Sequence, residues 1–161
     1  MTLWFLDWMW CFPLIVLSVV IHVAGLGLIS EKVVQPLSAL AQNRRFTVSF
    51  VIIMGVVAWL VTALHALEGF AWALAYRLLG AVGDMTDAVL YSFSAMTAYG
   101  HASVVLERRW QLMGALEALN GLMLFGLTTA FMFAMIGRVG RRRPGRGLTL
   151  ARRGDGISPK Q

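Results

Sequence analysis

Charge is scarce in this chain of 161 residues, and negative charge is scarcer than positive charge. Eight carboxylates stand against 14 lysines and arginines, while 58% of the residues are hydrophobic. This composition excludes an ordinary soluble domain and is typical of an integral membrane protein. The single cysteine, Cys11, excludes an intrachain disulfide and leaves the redox compartment undetermined.

The chain also lacks the motifs on which most enzymes depend. It contains no Gly-rich phosphate loop, no pair of acid and base carboxylates, no nucleophile elbow and no cluster of metal ligands. No ladder of arginines that would sense voltage runs through the first two apolar segments. We therefore predict a protein that is not an enzyme and that holds no metal or cofactor.

Three long apolar segments are present, over residues 8–30, 46–67 and 110–137. Each is long enough to cross a hydrocarbon core, which takes roughly 20 helical residues. The first differs from a cleaved signal peptide because its flank carries the acid Asp7 and no lysine or arginine, and no small-residue cleavage site follows. We predict an all-α membrane protein with three transmembrane helices.

The basic residues predict the orientation of these helices. Segment 31–45 contains Lys32, Arg44 and Arg45, and eight of the 14 basic residues lie in 138–161. Because lysine and arginine beside a span favour the cytoplasmic side, we place both regions inside and the amino terminus outside. We prefer this interpretation of the basic tail, 139–161, to nucleic-acid binding. The tail is predicted to be disordered and to lie against anionic lipid.

Residues 68–109 connect the second and third apolar segments, so both ends of this stretch must lie on the outer side of the membrane. The stretch 71–79 is expected to extend the second helix, 80–84 to form a turn, and 85–97 to form a helix about 20 Å long, too short to span. Asp84 is the expected N-cap of this short helix. Irregular backbone at membrane depth is tolerated only inside protein or along water, so copies of the chain are expected to surround an aqueous path.

An outer helix, a short helix, a turn and an inner helix over 46–138 resemble the pore module of potassium channels. The resemblance is strongest over 87–136, and 115–134 looks like the inner helix of a bacterial branch with an extra amino-terminal helix. That branch also has an LH-x-x-E element, matched here by Leu64, His65 and Glu68. The resemblance implies three transmembrane helices plus a re-entrant pore helix and filter loop, with four chains around one pore.

The family's filter reads T-x-G-Y-G-D, and its carbonyl oxygens replace the hydration shell of the ion. Aligned without gaps from Trp110, seven residues fall opposite T-T-x-G-Y-G-D: Thr97, Ala98, Tyr99, Gly100, His101, Ala102 and Ser103. The first glycine is kept, whereas the tyrosine, the second glycine and the aspartate are replaced. The resemblance implies a homotetrameric channel for monovalent cations, K⁺ among them, with its filter over 97–102. The alternative is a nonconducting scaffold or regulatory protein that keeps the pore fold.

His101 has two interpretations at the outer mouth of such a pore. It is either a structural donor behind the filter or one of four imidazoles whose protonation would repel cations. A metal site made of four symmetric His101 side chains is a third and weaker option, because no second ligand type is nearby. Ser103 and Glu117 are expected to support the filter from behind, and for Glu117 we prefer this role to ion binding.

The third apolar segment carries the candidates for the cavity and gate. Asn120 is expected either to point into the cavity or to bond to a neighbouring helix. Thr128 is a cavity candidate, with Phe131 or Met135 as a lower hydrophobic constriction. Gly126 is either a hinge or a point of close helix packing.

His22 and His65 raise the possibility of a haem bound between two helices, with the two histidines as ligands of its iron. With the second helix ending near residue 67, His65 lies near its outer end, whereas His22 lies about 20 Å below the outer end of the first helix. We therefore predict that the two histidines do not face each other across a single haem and that each makes interhelical hydrogen bonds, with Glu68 as the partner of His65.

These inferences divide the chain into three regions: an amino-terminal helix and cytoplasmic loop (1–45), a pore module (46–138) and a basic tail (139–161). The predicted partners are three further copies of the chain, membrane lipids and monovalent cations, and no nucleic acid. The predicted location is the plasma membrane, in bacteria the inner membrane, with several passes.

Overall fold

The computed structural model describes residues 2–40, 46–100 and 104–141, and the side chains within 8–38, 47–100 and 104–138. This part of the chain is helical and contains no β-strand. Its elements are α1 (Thr2–Ile29), a π-helical turn (Ser30–Val34), α2 (Gln35–Leu40), α3 (Phe46–Leu78), α4 (Met85–Met96) and α5 (Gln111–Arg141). The predicted cytoplasmic residues Arg44 and Arg45 and nearly all of the basic tail lie outside the described residues.

Three of these helical regions are long and apolar enough to cross a membrane: Trp8–Ser38, Thr47–Leu78 and Gln111–Arg138. The predictions of an all-helical fold and of three helices long and apolar enough to cross a membrane are confirmed. The short α4 packs against both α3 and α5, and α1 packs against the same two helices. This arrangement brings side chains from all three spans together in the interior of the chain.

The second span is longer than the apolar segment that predicted it. α3 continues without interruption from Phe46 to Leu78, so the expected extension over 71–79 is real. It stops at Gly80, whose φ of 70° suits a residue without a Cβ. The amide of Ala81 donates to the Tyr76 carbonyl and the amide of Gly80 to that of Arg77, which closes the helix end in a Schellman motif.

The first span does not end where the charges begin. The stretch from residue 31, which was predicted as a cytoplasmic loop, is helical as far as Leu40. The amide of Gln35 donates to the Ser30 carbonyl, an i to i−5 bond. Pro36 follows at once, and a proline cannot donate to the carbonyl four residues before it. The wider π turn carries the helix past this missing bond.

The buried residues form two apolar clusters at different heights. One gathers Trp72 and Tyr76 of α3 with residues of α1, α4 and α5. The other joins Leu26 of α1, Val57 of α3 and Met135 of α5. The Trp72 indole donates to Ser18 Oγ at 3.1 Å, which ties α3 to α1 above the second cluster. Between the two clusters lie most of the buried polar side chains.

Candidate functional site

The short helix α4 has a well-defined start. Asp84 lies in an extended conformation, and its carboxylate accepts the amides of Thr86 at 2.8 Å and Asp87 at 3.4 Å. This is the predicted N-cap, and it is confirmed. The bond from the Thr86 amide is the main reason why the pKa of the exposed Asp84 is lower than its ordinary value.

The turn after α4, residues 97–100, is also a helix cap. The amide of Ala98 donates to the Ala95 carbonyl, and the amides of Tyr99 and Gly100 both donate to Ser94. Ala98 takes the left-handed conformation with φ of 54°, and Gly100 does so with φ of 74°. Such a Schellman motif normally places glycine where Ala98 stands, and an alanine there costs about 1 kcal/mol.

This cap fixes the direction of the carbonyl groups. In a planar trans peptide the carbonyl oxygen points opposite to the amide hydrogen of the same unit. Because the amides of residues 97–100 point back at α4, the carbonyl oxygens of residues 96–99 point away from it. They add to the partial negative charge at the carboxyl end of α4. The turn therefore offers an electronegative end that attracts cations.

The turn also lies deep along α5. Gly121 has no room for a Cβ because the backbone of Met96, the last residue of α4, occupies that space. Gly121 is ten residues from the start of α5, which corresponds to about 15 Å along a helix. Within one chain the turn has little cover, since Tyr99 is 84% exposed. The capped end of α4 thus lies about 15 Å along α5 with one face open.

Glu117 holds α4 in this position. Its side chain is fully buried, and Oε2 accepts the Tyr76 hydroxyl of α3 at 2.7 Å. The Ser92 hydroxyl of α4 contacts Glu117 Oε1 and the Gly69 carbonyl of α3. One carboxyl group from α5 thus joins both neighbouring helices. This placement agrees with the predicted supporting role, although filter support itself stays a prediction.

Asn120 lies one turn below Glu117 and is equally buried. Neither its side-chain oxygen nor its nitrogen has a hydrogen-bond partner within the described part of the chain. Gly126 faces open space, with nothing near the position of a Cβ. Phe131 packs half-buried against the lower apolar cluster, and Met135 is buried inside that cluster. The cavity and gate roles of these residues stay predictions.

Four polar side chains from three helices meet below this level. His22 of α1 places Nδ1 at 2.9 Å from Glu68 Oε1 and Nε2 at 3.0 Å from Thr128 Oγ1. His65 places Nε2 at 3.1 Å from the same hydroxyl and Nδ1 at 3.5 Å from Glu68 Oε2. We call His22, His65, Glu68 and Thr128 the histidine cluster. Its Thr128 hydroxyl is turned toward α1 and α3 of its own chain.

The histidine cluster corrects the prediction that His22 and His65 lie at different depths. Their ring centroids are 4.9 Å apart. The error came from ending the second helix near residue 67: α3 reaches Leu78, so His65 lies 13 residues, or about 20 Å, below its outer end. That is the depth already inferred for His22. The rings contact each other directly and leave no gap for a porphyrin between them.

Sequence reasoning found part of this site. The spacing of His65 and Glu68 at i and i+3 predicted their proximity, which the structure shows, but Glu68 lies closer to His22. The sequence signal for His22 was a polar side chain within an apolar segment that contains no charged residue, because burying a polar group in a membrane span is costly. The predicted filter residues His101 and Ala102 and the predicted support residue Ser103 lie outside the described residues.

No family model, curated protein or solved structure matches the chain.

Proposed function

We propose that the chain is one subunit of a homotetrameric channel that conducts monovalent cations, with K⁺ as a candidate ion. The observation that carries the proposal is the capped turn after α4. It lies about 15 Å below the start of α5, directs carbonyl oxygens away from its own helix, and is exposed in the single chain. Backbone of this kind at membrane depth requires either protein or water around it.

A ring of identical chains meets this requirement. Four copies of the turn around an axis would shield one another from lipid and point carbonyl oxygens at a shared aqueous path. The proposed filter is Thr97, Ala98, Tyr99 and Gly100 followed by His101 and Ala102. The Thr97 hydroxyl donates to the Phe93 carbonyl at 2.7 Å, so its oxygen lone pairs remain available to a cation.

The proposed orientation follows the positive-inside rule. The basic residues of 31–45 and of the tail would face the cytoplasm of a plasma membrane, in bacteria the inner membrane, and the tail would contact anionic lipid. The loop between α3 and α4 and the segment 104–110 would then lie outside. This places the carboxyl end of α4 so that cations entering from outside meet the filter first.

The test is ion flux through purified protein in liposomes. With KCl and NaCl gradients opposed, we expect a current carried by cations, and its reversal potential distinguishes a potassium-selective pore from a non-selective cation pore. Absence of current at every pH and voltage would contradict the channel and favour the nonconducting scaffold. A non-selective current would make His101→Tyr with Ala102→Gly the combination to test for restored potassium selectivity.

A matched pair of glycine variants links the current to the turn. Gly100 and Gly80 have φ of 74° and 70°, and both have open space around the position of a Cβ. Alanine at either site costs about 1 kcal/mol in backbone strain. We expect Gly100→Ala to reduce the cation current strongly and Gly80→Ala, at the end of α3, to leave it intact. Equal effects would show that the turn is not the conducting element.

A further inference from the structure

Two atoms of the histidine cluster lie in the membrane interior without a hydrogen-bond partner. They are Glu68 Oε2 and His65 Nδ1, which face each other at 3.5 Å. The Glu68 side chain is fully buried, and that of His65 is 14% exposed. An unpaired buried carboxylate oxygen is costly, so the facing pair requires an explanation.

The number of available hydrogens explains why Glu68 Oε2 and His65 Nδ1 do not form a hydrogen bond. The Glu68 carboxylate accepts from His22 Nδ1, so in a neutral His22 the other nitrogen, Nε2, is bare and takes the single hydrogen of Thr128. The Thr128 oxygen then accepts from His65 Nε2. A neutral His65 therefore presents a bare Nδ1 to Glu68 Oε2. Two lone pairs face each other, and a cation between them would relieve the repulsion.

A second placement of the same hydrogens leaves two imidazole nitrogens and the Glu68 carboxylate available to bind a metal ion. If both imidazoles carry their hydrogen on Nε2, both donate to the two lone pairs of Thr128 Oγ1, at 3.0 and 3.1 Å. Both Nδ1 atoms are then bare and directed at Glu68. Metal-binding histidines usually donate their second ring N–H to a neighbouring acceptor, which fixes the tautomer. Thr128 fits that orienting role for two histidines at once.

The spacing of these atoms suits a small divalent ion. Bonds of about 2.0 Å at tetrahedral angles place ligand atoms about 3.3 Å apart. His22 Nδ1 lies 2.9 Å from Glu68 Oε1 and His65 Nδ1 lies 3.5 Å from Glu68 Oε2, so each nitrogen is close to this distance from one oxygen of the carboxylate. One ligand atom from each of His22, His65 and Glu68 lies within 4.8 Å of the others.

We propose that His22 Nδ1, His65 Nδ1 and the Glu68 carboxylate form a binding site for a divalent transition-metal ion, with Zn²⁺ as the best fit to two imidazoles and one carboxylate. Thr128 orients both histidines, and the fourth position is open to water or hydroxide. The ion would join α1 to α3 and, through Thr128, to α5. This site does not depend on whether the chain conducts ions.

The test uses the full-length protein, stripped with a chelator and titrated with Co²⁺ and Zn²⁺. We expect one Co²⁺ per chain, with the visible absorption of a tetrahedral site, and displacement by Zn²⁺. Glu68→Gln and His65→Gln are expected to weaken binding at least about 100-fold, because each removes a direct ligand. Thr128→Val, which removes only the orienting hydroxyl, is expected to weaken it roughly 10- to 100-fold.

His101→Gln is the matched control, since His101 is the only other histidine in the chain. It should leave metal binding unchanged, and loss of binding in this variant would overturn the site. Unchanged binding in Glu68→Gln would do the same. If the ligand variants do not fold, the Tm of the wild-type protein with and without Zn²⁺ provides the test, because a bound ion must raise that Tm. A Tm that Zn²⁺ does not move would leave the cluster as a hydrogen-bonded network only.

Discussion

At the scale of single residues, the chain concentrates its buried polar groups at the contacts between helices. Glu117, Glu68 and Asn120 are each 1% exposed or less, although a carboxylate in a membrane span is costly. Glu117 meets this cost with two hydroxyl partners on different helices. Such residues fix how α3, α4 and α5 pack together, because apolar contacts with lipid and with protein are similar in strength.

Removing either hydroxyl partner of Glu117 should destabilise the protein. We expect Tyr76→Phe and Ser92→Ala each to cost about 1–3 kcal/mol, since each leaves a buried carboxyl oxygen short of a donor. The two losses should not add, because both act on one carboxyl group, and a double-mutant cycle should give a coupling of about 0.5–3 kcal/mol. Thermal unfolding in detergent measures this, and simple additivity would show that Tyr76 and Ser92 do not act through Glu117.

Gly121 offers a second prediction at this scale. A Cβ at this position would overlap the backbone of Met96, which cannot move without shifting the end of α4. We expect Gly121→Ala to destabilise the protein by about 1–3 kcal/mol and to reduce any cation current. Gly27→Ala in α1, which has open space around it, is the control and should be neutral or slightly stabilising. Equal stability of the two variants would contradict the close packing of α4 on α5.

At the scale of secondary-structure elements, the sequence predicted the type of each element better than its ends. The short α4 was predicted correctly with its N-cap, because Asp84 and the turn before it are local signals. The ends of α1 and α3 were harder to predict from the sequence. Apolar runs stop at the first charge, whereas helices stop at a cap. α3 passes Glu68, whose Oε1 accepts from His22 Nδ1, and ends at the cap formed around Gly80. The depth of His65 follows from that helix end, which the apolar run did not indicate.

The cap of α4 predicts a pH dependence. Bonds from the Thr86 and Asp87 amides lower the pKa of Asp84 below its ordinary 3.8, so the cap stabilises the folded state above about that pH. As the pH falls through the lowered pKa, the carboxylate is protonated and this contribution is lost. We expect Asp84→Ala to lower Tm near pH 7 and to have a smaller effect near pH 3. A difference independent of pH would show that the charged form is not the cap.

At the scale of the whole molecule, the described surface combines apolar side chains along the three candidate spans with one exposed turn, residues 97–100. Large hydrophobic side chains are exposed along all three spans, for example Val51 on α3 and Phe133 on α5. Their exposure is expected in a bilayer. The turn after α4 differs, because its exposed groups include peptide carbonyls as well as apolar side chains. That difference is the reason to expect further copies of the chain.

The orientation of the molecule is testable with cysteines, since the chain has only Cys11, which is buried. In a Cys11→Ala background we expect Glu107→Cys to react with a membrane-impermeant maleimide in intact cells. Glu31→Cys should react only after the membrane is opened. The side chains of Glu107 and Glu31 are 71% and 61% exposed, so they form a matched pair. The reverse pattern would invert the proposed topology.

The length of the spans has a consequence for the membrane around them. The helical regions that contain the three candidate spans run for 31, 32 and 28 residues, or about 42–48 Å, against a hydrocarbon core of about 30 Å. Helices of this length either tilt within the bilayer or project beyond it. Tilt would change the angle at which α5 lines the proposed pore. In the proposed channel we therefore expect the cation current to change with the thickness of the surrounding bilayer.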